Sequence, residues 1–294
     1  MTWNLQGSGV ALVTPFKKDR TINYAKLAEL IEFHIKHHTD ALIIAGTTGE
    51  ASTLSKQEHE ELIRECVRLA DGRIPIIAGT GSNETHRAIQ LSQRAEKAGA
   101  DGLLIVTPYY NKTNTPGIIK HYEAIAEAVN IPIILYNVPG RTGMSIPLEA
   151  MVHLSHNDKI VAVKEASGDM TYASEVRRLC KSDFGILSGN DDIIVPMMAI
   201  GSSGVISVLA NVLPQETHDI VQHFLDGKTA DALALQMKLN GFVHSLFYET
   251  NPIPVKAAMN LQGWEVGGLR LPLYDMTPDA QARMRKEMDK LNLL

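Results

Sequence analysis

Eight short apolar runs recur along this chain at near-regular intervals. They are VALV (10–13), ALIIA (41–45), IPIIA (74–78), GLLIV (102–106), IPIILY (131–136), KIVAV (159–163), FGILS (184–188) and GVISV (204–208). Most are apolar at every position rather than at alternate ones. A strand of that kind buries both faces, which is the signature of a parallel sheet covered by helices. Successive starts lie between 20 residues (184 to 204) and 33 residues (41 to 74) apart. That is room for the crossover helix that parallel strands require.

The gaps read as helices. Leu27, Leu30, Ile31, His34 and Ile35 follow a 3.6-residue period. Ser55-Lys56-Gln57-Glu58 is a capping box ahead of Leu62, Ile63, Cys66 and Leu69. Asn83 is the expected cap of the third helix. The later helices are expected near 116–129, 147–156, from Asp169 to about Cys180, and 191–200. Eight strand-then-helix units predict an α/β fold, a closed (β/α)8 TIM barrel; a doubly wound open sheet is the second choice. After Val208 no further strand is evident. Helical segments near 215–226, 229–248, 253–260 and 278–290 exceed what an eighth barrel helix needs. The expected organisation is a barrel over 1–225 and a small C-terminal helical appendage over 226–294.

Composition narrows the function classes. Hydrophobic residues make up 45% of the 294 and charged residues 21%, a globular balance. A net charge of −5 argues against nucleic acid or an anionic membrane as main partner. Two cysteines make neither a disulfide framework nor a thiolate metal site, and both read as half-buried helix residues. The N-terminus shows no signal-peptide pattern and no window is apolar enough to span a membrane. A cytoplasmic location is expected.

In a barrel, chemistry collects where strands end. Here those ends read GTTGE (46–50), TPYY (107–110), YNVPGRTG (136–143), KEASGD (164–169) and SGND (188–191), among others. Lys164 directly ends an apolar strand. Desolvation favours its neutral amine, which can attack a carbonyl and form a Schiff base; the alternative is a lysine snorkelling to solvent beside Glu165. Tyr136 ends the preceding strand, where its hydroxyl can shuttle protons for that amine or simply lid the barrel. Arg141, in a turn-rich loop, suits a carboxylate or is a surface arginine. Gly46-Thr47-Thr48-Gly49 offers amides and hydroxyls to an anion or is an ordinary turn. Gly79-Thr80-Gly81 lacks the third glycine of a dinucleotide loop. His34, His37 and His38, like His153 and His156, read as surface residues rather than metal ligands. Asp191 and Asp192 read as caps of the short helix after strand seven, with a divalent-ion pair as the alternative.

The motifs GTTGE (46–50), YNVPGRTG (136–143) and VKEA (163–166), in this order and spacing, resemble the dihydrodipicolinate synthase family. This family lies in the pyruvate-dependent class I aldolase superfamily that includes N-acetylneuraminate lyase. The resemblance spans nearly the whole chain. It implies condensation of pyruvate with L-aspartate 4-semialdehyde without metal or organic cofactor. It makes Lys164 the Schiff-base lysine and Thr47, Tyr136 and Tyr110 a proton relay, with Tyr110 reaching into a neighbouring subunit's site. It makes Thr48 the pyruvate-carboxylate binder and Arg141 the receiver of the semialdehyde's carboxylate. Gly189 and Ile206 match backbone positions lining the pyruvate pocket. Thr47-Thr48 and Arg141 separate the chain from N-acetylneuraminate lyases, which usually carry Ser-Thr and lack the arginine; sugar-acid aldolases are the nearest rivals. Many family members are homotetramers, dimers of dimers, and many bind lysine as a feedback inhibitor. Asn83, His59 and Tyr109 match that effector site. Lys56 and Arg87 replace a histidine and a glutamate there, so weak or absent lysine inhibition is expected, since Arg87 repels an ammonium.

Overall fold

Each apolar run becomes a parallel strand in the computed structural model, which describes residues 6–294. The opening five residues, part of the stretch read for a signal sequence, lie outside that range. The strands are β1 (Gly7–Ala11), β2 (Ala41–Ile44), β3 (Ile76–Gly79), β4 (Gly102–Val106), β5 (Ile133–Asn137), β6 (Ile160–Glu165), β7 (Gly185–Ser188) and β8 (Gly204–Ser207). They pair in sequence order, and β1 pairs with β8 through Gly7↔Gly204 to Val10↔Ser207, so the sheet closes into a barrel. The closure needs Gly204, because a Cβ there would stand 1.9 Å from the Gly7 carbonyl oxygen.

The intervening helices are α1 (Tyr24–Lys36), α2 (Lys56–Ala70), α3 (Thr85–Lys97), α4 (Thr115–Glu127), α5 (Pro139–Thr142), α6 (Leu148–Leu154), α7 (Met170–Leu179), α8 (Ile194–Ala199) and α9 (Pro214–Leu225). The capping box at Ser55 and Glu58 opens α2 as expected. At α3 the cap is Glu84 instead of Asn83; its carboxylate accepts from the amides of His86 and Arg87, so the longer acidic side chain meets the helix's free N–H groups one residue later. The segment around Arg141, which its turn-forming residues predict to be a loop, coils into the single helical turn α5. Beyond the barrel run α10 (Thr229–Ser245), α11 (Ile253–Leu261) and α12 (Pro278–Lys290), with α10 packed on α8, α9 and α12.

Two apolar layers explain why the strands lack alternation. Ala41, Ile43, Ile77, Leu104, Ile134, Ala162, Leu187 and Ile206 fill the barrel interior. Their strand neighbours Leu42, Ile44, Ile76, Leu103, Ile105, Ile133, Leu135 and Val163 face the helices. Both faces are dry, so both parities are apolar.

Several side expectations change. His34 is fully buried, with Nδ1 2.9 Å from the Thr39 hydroxyl, because its position on α1 faces the barrel; burial drives its pKa down to about 3. Cys66 and Cys180 are both buried free thiols, deeper than half-buried helix residues. Asp191 caps no helix after β7, where Asn190 occupies the cap position without a side-chain bond. Its Oδ2 accepts instead from the amides of Val208 and Leu209, each at 2.9 Å, tying the ends of β7 and β8 together. Among the described residues no helix is long and apolar enough to cross a membrane.

Candidate active site

Strand alternation aims each strand-end side chain. Ala162 lies in the barrel interior and Val163 in the helix-facing core, so Lys164 points inward at the carboxyl end of β6. Register places it beside Tyr136 of β5, which is also inward. The Lys164 amine lies over the aromatic face, with Nζ 4.5 Å from the ring centroid. Lys164 is 5% exposed. Its neighbour Glu165 is no partner, because consecutive strand residues face opposite ways. The Glu165 carboxylate accepts from Asn137 Nδ2 at 2.7 Å and the Ser167 amide at 2.6 Å, and burial raises its pKa. Among the described residues the sheltered Lys164 amine is in no close ion pair, and the buried Asp191 carboxyl is an acidic group whose charge it meets.

Tyr136 also walls a cavity of about 350 Å³ at this end of the barrel, together with Thr47 and Arg141. Lys164, Thr48, Tyr110, Gly189 and Ile206 are not in that wall. Lys164 lies against the Tyr136 ring, and Ile206 is fully buried in the interior cluster with Tyr136. Gly189 donates to the Glu165 carbonyl at 2.7 Å, and a Cβ there would stand 2.5 Å from that of Ala166. Only glycine lets the loop after β7 close on β6. Tyr110 is elsewhere: 91% exposed, with φ of 69°, a left-handed conformation uncommon for an aromatic residue.

The residue that strand-end reasoning missed is Asn251, just before α11. Its side-chain amide donates to Thr48 Oγ1 at 2.9 Å, and its backbone oxygen accepts from Arg141 Nη2 at 3.0 Å. Asn251 is 5% exposed and part of the cavity wall, and its Oδ1 is buried without a partner. One residue of the C-terminal segment thus holds both Thr48 and Arg141, the two side chains that the resemblance assigns to carboxylates. No strand precedes it, so only the unusual Thr-Asn-Pro-Ile-Pro run (250–254) marked the place.

The GTTGE loop is anchored from behind. Glu50 is 1% exposed and accepts from Lys256 Nζ at 2.8 Å and the Arg270 amide at 3.0 Å. The Lys256 ammonium also donates to the carbonyls of Thr14 and Gly268 and lies 4.3 Å from the Phe16 ring centroid. Of the five residues matched to an effector site, Lys56, His59, Arg87 and Tyr109 line the outer part of the same cavity. Asn83 does not; its carbonyl accepts from Asn111 Nδ2 at 2.8 Å.

This geometry can be set beside known proteins. The model of the dihydrodipicolinate synthetase family matches residues 4–291. The chain belongs to that family. The 4-hydroxy-tetrahydrodipicolinate synthase of Caldicellulosiruptor saccharolyticus is 53% identical over 96% of this chain and 96% of its own. The synthase of Clostridium novyi is 49% identical over 98% of this chain and 97% of its own. The crystal structure of dihydrodipicolinate synthase from Aquifex aeolicus superposes with a TM-score of 0.96 at 44% identity, covering 98% of this chain and 99% of that one. The similarity therefore runs through barrel and C-terminal helices alike.

Proposed function

We propose that this barrel condenses pyruvate with L-aspartate 4-semialdehyde to 4-hydroxy-tetrahydrodipicolinate, the step that opens diaminopimelate and lysine biosynthesis. The observation that carries the reading is the buried Lys164 amine lying over the Tyr136 ring. The relatives named above carry the same assignment by name.

Neutral Lys164 attacks the keto carbon of pyruvate. Thr47, Tyr136 and Tyr110 pass protons so that the carbinolamine oxygen leaves as water. The resulting iminium is the electron sink: a methyl C–H proton departs and its electron pair forms the enamine. The enamine carbon adds to the semialdehyde's aldehyde carbon, whose oxygen takes up a proton. The substrate's amino group then attacks the iminium carbon and displaces Lys164, closing the ring. Thr48 and the neighbouring amides hold the pyruvate carboxylate, and Gly189 and Ile206 line that pocket. Arg141 receives the second carboxylate at the mouth. Tyr110, exposed and held in a left-handed conformation, serves a neighbouring subunit's site, which gives a homotetramer built of dimers its catalytic reason. We infer a cytoplasmic enzyme, with a barrel unit over 1–225 and a helical unit over 226–294.

Pyruvate with borohydride, followed by intact-mass measurement and peptide mapping, tests the Schiff base. One reduced pyruvate on Lys164, lost in Lys164→Ala, is expected; no adduct overturns the mechanism. Parallel turnover assays with the semialdehyde and with 2-keto-3-deoxy sugar acids test the second substrate, and preference for a sugar acid overturns it.

A further inference from the structure

The ladder between β5 and β6 is not continuous. Ile133 pairs with Ile160 and Ile134 with Ala162, so Val161 is skipped. Above that irregularity Tyr136 pairs with Lys164, and Asn137 with Glu165. Backbone amides and carbonyls pair equally well in neighbouring registers, whereas side chains do not. Their period along a strand is two, so one further residue of slip in β6 would turn Lys164 out of the barrel and bring a neighbour in. Both strands end at this point: β5 passes into α5 and β6 into the loop ahead of α7.

A buried polar pair sits on the helix-facing side of those ends. Asn137 and Glu165 are both buried. Asn137 Oδ1 accepts from the Ile146 amide at 2.9 Å and from the Ser145 hydroxyl at 3.2 Å. A backbone amide only donates, so this oxygen is fixed in place and Nδ2 must face Glu165, whose Oε2 it meets at 2.7 Å. The other carboxylate oxygen accepts from the Ser167 amide at 2.6 Å. Burial raises the Glu165 pKa, and the bonds from Ser167 and Asn137 oppose that rise. A slipped register would strand this carboxylate without its donors in a dry layer, which is costly. Ser145 and Ile146 follow α5, so Asn137 also draws in the chain that carries Arg141.

We propose that Asn137 and Glu165 are a positioning pair for the Schiff-base chemistry: their bond behind β5 and β6 fixes the register in which the Lys164 amine lies over the Tyr136 ring. The inference rests on the catalytic reading above. Each member acts through its strand neighbour, Asn137 through Tyr136 and Glu165 through Lys164. Carbonyl attack and proton transfer need reacting atoms within about 3–3.5 Å, so a small shift of one strand end against the other is enough to slow them.

A polarity swap tests the pair. Glu165→Gln leaves one accepting oxygen for two donors, so either Asn137 or the Ser167 amide loses its partner. Adding Asn137→Asp restores the bond in reverse: the new carboxylate keeps the Ser145 and Ile146 donors and accepts from the glutamine amide, whose oxygen keeps Ser167. Wild type, single and double variants are compared by the rate of borohydride-trapped pyruvate, read by intact mass, and by steady-state kinetics. Glu165→Gln is expected to trap pyruvate and turn over at least about tenfold more slowly, with KM for pyruvate changed less than about threefold, because Thr48 is untouched. The double variant is expected to return to within about threefold of wild type. A lowered urea midpoint with an unchanged trapping rate in Glu165→Gln, or a folded double variant as slow as the single one, overturns the proposal. If Glu165→Gln does not fold, the double variant decides alone, and its failure to fold also overturns the proposal. Absence of trapping in the wild type refutes the catalytic reading itself, whereas normal trapping there and in Glu165→Gln refutes only the positioning pair.

Discussion

At the scale of single residues, direction matters more than identity. Lys164 and Glu165 are adjacent in sequence, and the sequence alone left them as a plausible surface pair. Alternation along β6 sends the amine into the barrel and the carboxylate towards Asn137 and Ser167, so the pair never forms. Asn251 shows the converse, two distant residues served by one. It is 203 positions from Thr48 and 110 from Arg141, yet bonds to both. Replacing Asn251 by Ala removes the donor to a buried hydroxyl and reshapes the support of Arg141. A lost bond of this kind costs about 1–3 kcal/mol, so kcat/KM for both substrates is expected to fall roughly tenfold to hundredfold. Steady-state kinetics checks this, and an unchanged value would mean that Thr48 and Arg141 keep their places unaided.

At the scale of elements, the strands and most helices were legible because each carries its own periodic signal. The runs at 41–45 and 102–106 became β2 and β4, and the capping box at Ser55 opened α2. What failed were contacts made by polar side chains across elements. Asp191 left its own helix to hold the amides of Val208 and Leu209. Glu50 and Lys256, 206 residues apart, form a buried ion pair joining the loop after β2 to α11. Burial lowers the Lys256 pKa, so the ammonium survives through Glu50 and three further contacts. Lys256→Met strands a carboxylate in a dry site and is expected to cost about 3–5 kcal/mol in urea unfolding. Adding Glu50→Leu to that variant is expected to recover much of the loss, because two buried charges are then removed together. Thr47 and Thr48 precede Glu50 in one loop, so activity should fall with Lys256→Met even where the protein stays folded.

At the scale of the whole molecule, closure of the barrel creates two dry layers, and the helices around it bury histidines that resist charge. Burial pushes the pKa of His34 to about 3 and that of His121 to about 4, against an ordinary 6.5. The unfolded chain takes up these protons below about pH 6.5, while the folded chain refuses them until far lower. The stabilisation is complete above 6.5 and is lost as pH falls towards 4, at up to about 1.4 kcal/mol per pH unit for each histidine. Glu165 and Asp191, whose pKa values burial raises, work in the opposite sense on acidification. The urea midpoint is expected to fall from pH 7 to pH 5, and to fall less in His34→Gln; equal slopes in the two proteins would refute the histidine contribution. By itself the sequence determined the eight-unit barrel, because a helix or a doubly buried strand is written in local periodicity. It also marked Lys164, Tyr136, Thr47 and Arg141, because strand ends in a barrel converge. Only the tertiary structure decided that Asn251 braces Thr48 and Arg141, that His34 is core, and that Glu50 meets Lys256. Those facts depend on which distant polar groups meet once water is excluded, and no local pattern encodes that.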